Sequence, residues 1–171
     1  DGYYKQWTPS ASTTVHTAMI RENVCNGNTN FNYTKTINAR DSYLLNAEEI
    51  PFNSVIKTIK ITPCASKFTS IKFISSQMQV FYRWNGVDSA NGKKYKLNGT
   101  TPVLLSPTTF NTRLNKLSTG TLEIGVVLSN GVGGLINGAK LSQIFAEITY
   151  ESLTLPKPPT YLKITNINAS Q

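Results

Sequence analysis

The 171-residue, 18.9 kDa chain is long enough for one domain with a sizeable core and short for two. Hydrophobic residues make up 39% and charged residues only 15%, which excludes a disordered chain, and the formal net charge of +8 excludes an acidic one. In place of charge the sequence carries 21 Thr, 17 Asn and 15 Ser. Thr suits half-buried strands and Asn and Ser suit the turns between them, so the composition predicts an all-β fold.

Taken in chain order, residues 1–20 do not alternate over a useful length and predict no strand. Residues 40–50 (RDSYLLNAEEI) form the one candidate helix, closed by Pro51. Val55, Ile59 and Ile61 then share a face against Thr58 and Lys60, and Met78, Val80, Tyr82 and Trp84 share the next. Leu122, Ile124, Val126 and Leu128 alternate with Glu123 and Gly125. Ile144, Ala146, Ile148 and Tyr150 do so with Glu147 and Thr149, and Leu162 and Ile164 flank Lys163. This period of two predicts strands near 55–61, 70–75, 78–84, 122–128, 143–150 and 161–165. Asn85-Gly86, Asn91-Gly92, Asn98-Gly99, Asn130-Gly131, Gly133-Gly134 and Asn137-Gly138 read as turns, and Pro156–Pro159 as a loop. The predicted architecture is a single β-sandwich, jelly-roll-like or immunoglobulin-like, over residues 1–171.

Catalytic chemistry finds no foothold. His16 is the only histidine, lies in a Thr-rich stretch, and reads as structural. Glu123 and Glu147 sit opposite core faces and read as solvent-facing, so no carboxylate pair is poised for glycoside hydrolysis. No phosphate loop, calcium loop or zinc spacing occurs. The expectation is a binding protein, not an enzyme, with no cofactor and no metal.

Charge is uneven along the chain. Residues 52–117 hold ten basic residues and one acid, Asp88, whereas the rest holds seven basic and eight acidic residues. Such a surface suits an acidic partner, glycan or extracellular-matrix protein, when it is not merely the solvated side of strands. Nucleic acid is not expected, since no recognised module is present. No apolar run approaches the ~20 residues that a membrane-spanning helix needs. Cys25 and Cys64 are the only thiols; they fit one disulfide formed in an oxidising compartment, or else two buried free thiols. Asn32, Asn98 and Asn168 head N-x-S/T sequons. A start at Asp1 without Met fits a processed or excised piece of an exported protein.

The segment Leu122–Asn168, reading LEIGVVLSNGVGG, LINGAKL, SQIFAEITYES, LTLPKPP and then the strand that opens TYLKITNIN, resembles the C-terminal third of the lectin domain of the type 1 fimbrial tip adhesin. FNTRLNKLSTGTLEIGVVL, residues 110–128, is similar in style to the type 3 fimbrial adhesin. The cysteine pair, 39 positions apart, resembles the early disulfide of chaperone–usher adhesins and pilins. The resemblance implies a receptor-binding sandwich at the tip of a bacterial surface fibre, exported through the periplasm. Its partners would be a pilin domain, a periplasmic chaperone and an usher, and its ligand a host matrix protein or glycan. It places ligand contacts at Tyr150, Glu151 and Ser152. About two dozen residues precede Cys25, unlike the type 1 family, so mannose specificity does not carry over.

From the residues themselves, Tyr3, Tyr4, Trp7 and Trp84 are the aromatics that could stack on a sugar or fill a partner's pocket, or else pack internally. Lys93, Lys94 and Tyr95, following Asn91-Gly92, read as an exposed hairpin tip for an acidic ligand. The alternative to a receptor-binding domain is a self-assembling subunit, a pilin or a capsid-type jelly roll.

Overall fold

In a computed structural model of the chain, described residues are 1–20, 24–25, 29–45, 50–70, 76–116, 120–131 and 137–153. Eleven strands are present among them: β1 (Thr8–Pro9), β2 (Asn32–Thr34), β3 (Arg40–Leu44), β4 (Ser54–Lys67), β5 (Ser76–Trp84), β6 (Val87–Asp88), β7 (Tyr95–Leu97), β8 (Val103–Leu104), β9 (Thr108–Lys116), β10 (Leu122–Gly131) and β11 (Ala139–Ser152). One 3₁₀ turn, His16–Met19, joins them.

Two sheets form a β-sandwich. The first runs β1-β2-β11-β4, with β8 and β9 both on the far edge of β4. The second runs β3-β10-β5, with β6 and β7 both on the far edge of β5. All pairings are antiparallel. Alternation decides what lies between the sheets. Ile56, Ile59 and Ile61 of β4 and Leu141 and Ile144 of β11 meet Met78 and Val80 of β5 and Leu122, Ile124, Val126 and Leu128 of β10. On the outer face of the first sheet, Thr58 faces Thr149 and Lys60 faces Glu147 across the β4–β11 ladder.

Two ties fix how the sheets align. The Tyr95 hydroxyl meets Thr108 Oγ1 at 2.6 Å, and the Tyr82 ring meets Phe110 edge-on at 5.3 Å. Passing from the first tie to the second runs toward the C-terminal ends of both β5 and β9, so these ends lie together. Trp84, Asn85-Gly86 and the close of β11 therefore sit at one end of the sandwich.

Residues 40–44 form a strand, not a helix: Asp41 and Tyr43 turn inward, and both edges of β3 find backbone partners. One partner is β10; the other is the N-terminal segment, where Gly2 N donates to Ser42 O, Ser42 N to Tyr4 O and Gln6 N to Arg40 O. Residues 2–6 thus extend the second sheet without alternating, because backbone hydrogen bonds carry the pairing. Asn91-Gly92 does not turn a hairpin. Residues 87–97 follow the edge of β5 throughout, with Gly92 N bonded to Val80 O, so Lys93 and Lys94 lie midway along an edge. The tight turn is Asn85-Gly86, both at positive φ (47° and 83°), the combination that two-residue hairpins with the right strand twist require. The expected strands at 70–75 and 161–165, the Gly133-Gly134 turn, the Pro156–Pro159 loop and the sequon at Asn168 fall essentially or wholly outside the described residues. Cys25 and Cys64 are bridged, with Cα atoms 5.7 Å apart, which resolves the two readings of the thiols.

Candidate functional site

The outer face of the second sheet gathers aromatic rings and ions from four chain segments. In β10, Glu123, Gly125 and Val127 point outward, yet Glu123 and Val127 are buried because other residues cover them. Phe81 of β5 lies across Gly125, where a Cβ would stand 2.5 Å from its ring. Arg40 covers Phe81, its guanidinium 4.6 Å from the ring centroid. Tyr4 meets the edge of Phe81 at 5.9 Å, and Tyr3 meets Tyr4 edge-on at 5.0 Å. The Arg83 guanidinium is 4.2 Å from the Tyr3 ring centroid.

Polar bonds hold this arrangement. Tyr3 N donates to Glu123 Oε2 at 2.8 Å, and Ser42 Oγ donates to the same oxygen at 2.6 Å. The Tyr4 hydroxyl donates to Asp88 Oδ2 at 2.8 Å, Arg83 Nη1 to Asp88 Oδ1 at 2.6 Å, and Arg40 Nη2 to Asn91 Oδ1 at 3.2 Å. The bond to Asp88 pushes the Tyr4 phenol and the Arg83 guanidinium above their ordinary values, so both stay protonated at neutral pH. Two guanidiniums stand against the carboxylates of Asp88 and Glu123, so the face is charge-balanced. Tyr3 nevertheless remains 69% exposed. A ring so fixed, with the Arg83 guanidinium beside it, can take a polar ligand's apolar face.

The other candidates are dispersed. Trp7 is buried, its Nε1 donating to Ala39 O at 3.0 Å, and Tyr95 is a core side chain with its hydroxyl on Ser106 O at 2.8 Å. Neither ring faces a partner. Trp84 is half-buried at the end of the sandwich, where Tyr150, Glu151 and Ser152 are exposed on the last ladder positions of β11. Glu151 pairs with Lys57 at 2.6 Å, which holds its carboxyl below the usual range. Lys93 and Lys94 are exposed on the edge beside β5, Lys93 Nζ bonding Ser106 Oγ at 2.7 Å. Lysines there also deter pairing of that edge with another chain. So Tyr3 and Tyr4 come together, and the rest do not join them. Arg40, Phe81, Arg83, Asp88 and Asn91 escaped the sequence reading. One signal for them existed: Arg83 and Asp88 are opposite charges flanking Asn85-Gly86, placed to pair across a two-residue hairpin.

His16 is structural in its contacts. It is buried, with Nδ1 at 2.8 and 2.9 Å from the two oxygens of Asp41, itself fully buried. The Tyr43 hydroxyl donates to Asp41 at 2.7 Å and Asn32 Nδ2 lies 3.2 Å from the same oxygen. Burial pushes the Asp41 carboxyl up, against the pull of these donors. Asn32 is buried, which closes that sequon, whereas Asn98 is exposed. Glu123, expected to face solvent, is the buried acceptor for the N-terminal segment.

No family model matches the chain, and no curated protein does. Among solved structures, the CBM36-1 domain of a multidomain xylanase from the hindgut metagenome of Trinervitermes trinervoides is similar in part, with 16% identity, 82% of this chain and 90% of that chain covered, and a TM-score of 0.43.

Proposed function

We propose that this chain is a non-catalytic receptor-binding domain displayed outside the cell, of the kind borne at the tip of a bacterial fimbria, and that it holds a neutral stretch of receptor glycan on the Tyr3–Tyr4–Arg40–Arg83 face. The observation that carries the reading is Tyr3: a ring 69% exposed yet held by its own backbone bond to Glu123 and by the Arg83 guanidinium. A preorganised aromatic loses little rotamer freedom on binding, so stacking there is converted into affinity with small loss. Charge balance on the face favours a neutral polar ligand over the acidic one expected from the sequence. A second reading, a matrix protein contacting the basic edge, is supported by Lys93, Lys94 and Lys96, exposed side by side with no carboxylate paired to them among the described residues.

A glycan array run beside a matrix-protein panel at low and high ionic strength separates the two. Glycan binding unchanged by salt, and weakened about tenfold by Tyr3→Ala, is the expected result. Binding abolished by salt and by Lys93→Glu/Lys94→Glu, and indifferent to Tyr3→Ala, transfers the site to the basic edge.

A further inference from the structure

The opposite sheet carries a second aromatic cluster with a different electrostatic character. Residues 31–35 alternate about β2: Asn32 and Thr34 turn into the core and are buried, so Phe31, Tyr33 and Lys35 share the outer side. Lys140 of β11 is the direct ladder partner of Tyr33 and comes up beside it. Phe68, just past β4, stacks on Tyr33 with centroids 4.4 Å apart and planes 8° from parallel. Gly138 lets these strands close, since a Cβ there would collide with Thr34 O. Phe31 meets Tyr33 edge-on at 6.0 Å. Each lysine lies over a ring, Lys35 Nζ 5.0 Å from the Phe68 centroid and Lys140 Nζ 5.0 Å from that of Phe31.

This face differs from the Tyr3–Arg83 face in one respect. The described carboxylates are all engaged elsewhere: Asp1 with Lys5, Asp41 with His16, Asp88 with Arg40 and Arg83, Glu123 with Arg83, Glu147 with Lys60 and Glu151 with Lys57. Lys35 and Lys140 have aromatic rings as neighbours and no ion pair among the described residues. Burial lowers the Lys140 ammonium from its ordinary value, the mark of a cation partly stripped of water.

We infer that the Phe31–Tyr33–Lys35–Phe68–Lys140 face is a binding site for a sulfated glycan, separate from the Tyr3–Arg83 face and independent of it. Two cations on an aromatic bed suit a ligand with spaced anionic groups on an apolar ring frame. Sulfate esters supply the charge at every physiological pH, and sugar C–H faces supply the apolar surface. Two lysines are too few for the dense phosphate tracking that defines nucleic-acid binding.

The test is titration calorimetry with a heparin-derived hexasaccharide, its desulfated counterpart and an oligoglutamate peptide, against the intact chain. The sulfated sugar should bind, and bind more weakly as salt rises, while the other two do not. Lys35→Gln/Lys140→Gln should weaken it about tenfold, and Lys35→Gln alone, at an exposed position, should account for part of the loss. Tyr3→Ala and Lys93→Gln/Lys94→Gln should leave it within experimental error of the original chain. Unchanged binding in the Lys35/Lys140 variant, equal binding of the desulfated sugar, or capture of the peptide at the same face would each overturn the inference, the last in favour of an acidic protein partner. Matching far-ultraviolet circular dichroism shows that any loss is not misfolding.

Discussion

At the scale of single residues, Asp41 organises the interior beneath β3. It is fully buried and takes bonds from His16 and Tyr43, with Asn32 in reach, each from a different strand or turn or from its own strand. A buried carboxylate survives only with such partners, and taking the carboxylate away strands the donors. Asp41→Ala should therefore destabilise by about 3–5 kcal/mol in urea unfolding, against ~1 kcal/mol for the surface pair variant Lys60→Ala. The same cluster sets an alkaline limit. Burial, and then the Asp41 charge, hold the Tyr43 phenol well above 10.0; burial raises Tyr95, and the bond to Asp88 raises Tyr4. In the unfolded chain these phenols ionise near 10.0 while the folded chain keeps them protonated, so their contribution is complete below that pH and is lost as pH rises above it. Lys140, lowered by burial, works the other way just below 10.5, but it is one group against three. The thermal midpoint should fall above pH 10, and Tyr43→Phe should make the fall shallower by up to ~1.4 kcal/mol per pH unit.

At the scale of elements, the N-terminal segment is both an edge strand and half of the candidate site. Gly2, Tyr4 and Gln6 hydrogen-bond to β3, and Trp7 then anchors the segment in the core. Deleting residues 1–6 should uncover Phe81 and Glu123, lower stability by a few kcal/mol and abolish neutral-glycan binding together. If a glycan hit survives that deletion, the ligand lies on another face. The long central strands were legible because a face of β5, β10 and β11 packs on the core, which imposes a period of two on Val80, Ile124 and Ile144; in β4 a register shift between Ile56 and Thr58 puts Ile56, not the expected Val55, beside Ile59 and Ile61. The short ones were not. β3 read as a helix because its buried positions run Asp41, Ser42 and Tyr43 without an apolar alternation, and β2 is three residues long. β9 does alternate, with Thr108, Phe110, Thr112 and Leu114 inward, but two of those four are Thr and hide the pattern. The site was half legible: Tyr3 and Tyr4 stood out as aromatics, while Arg40 and Arg83 join them only through the register of β3 and β5 on β10.

At the scale of the molecule, the disulfide and the sandwich are linked. Cys25–Cys64 closes a 39-residue separation that contains β2 and β3, so reduction frees the strands that carry Asn32, Arg40 and Asp41. Loop-closure entropy of that size corresponds to about 4 kcal/mol. Reduced protein should unfold at markedly lower urea, whereas unreduced, denatured protein should titrate no free thiol. The faces also divide the charge: the Tyr3–Arg83 face is balanced, while Lys93, Lys94, Lys96, Lys35 and Lys140 carry excess that salt can screen. The Tyr3–Arg83 site is therefore open to one direct measurement, the affinity of the best neutral, unsulfated glycan-array ligand for the original chain and for Tyr3→Ala at low and high salt. The expected affinity is the same at both salt concentrations and about tenfold weaker in Tyr3→Ala. An affinity that collapses in high salt and is untouched by Tyr3→Ala would contradict it.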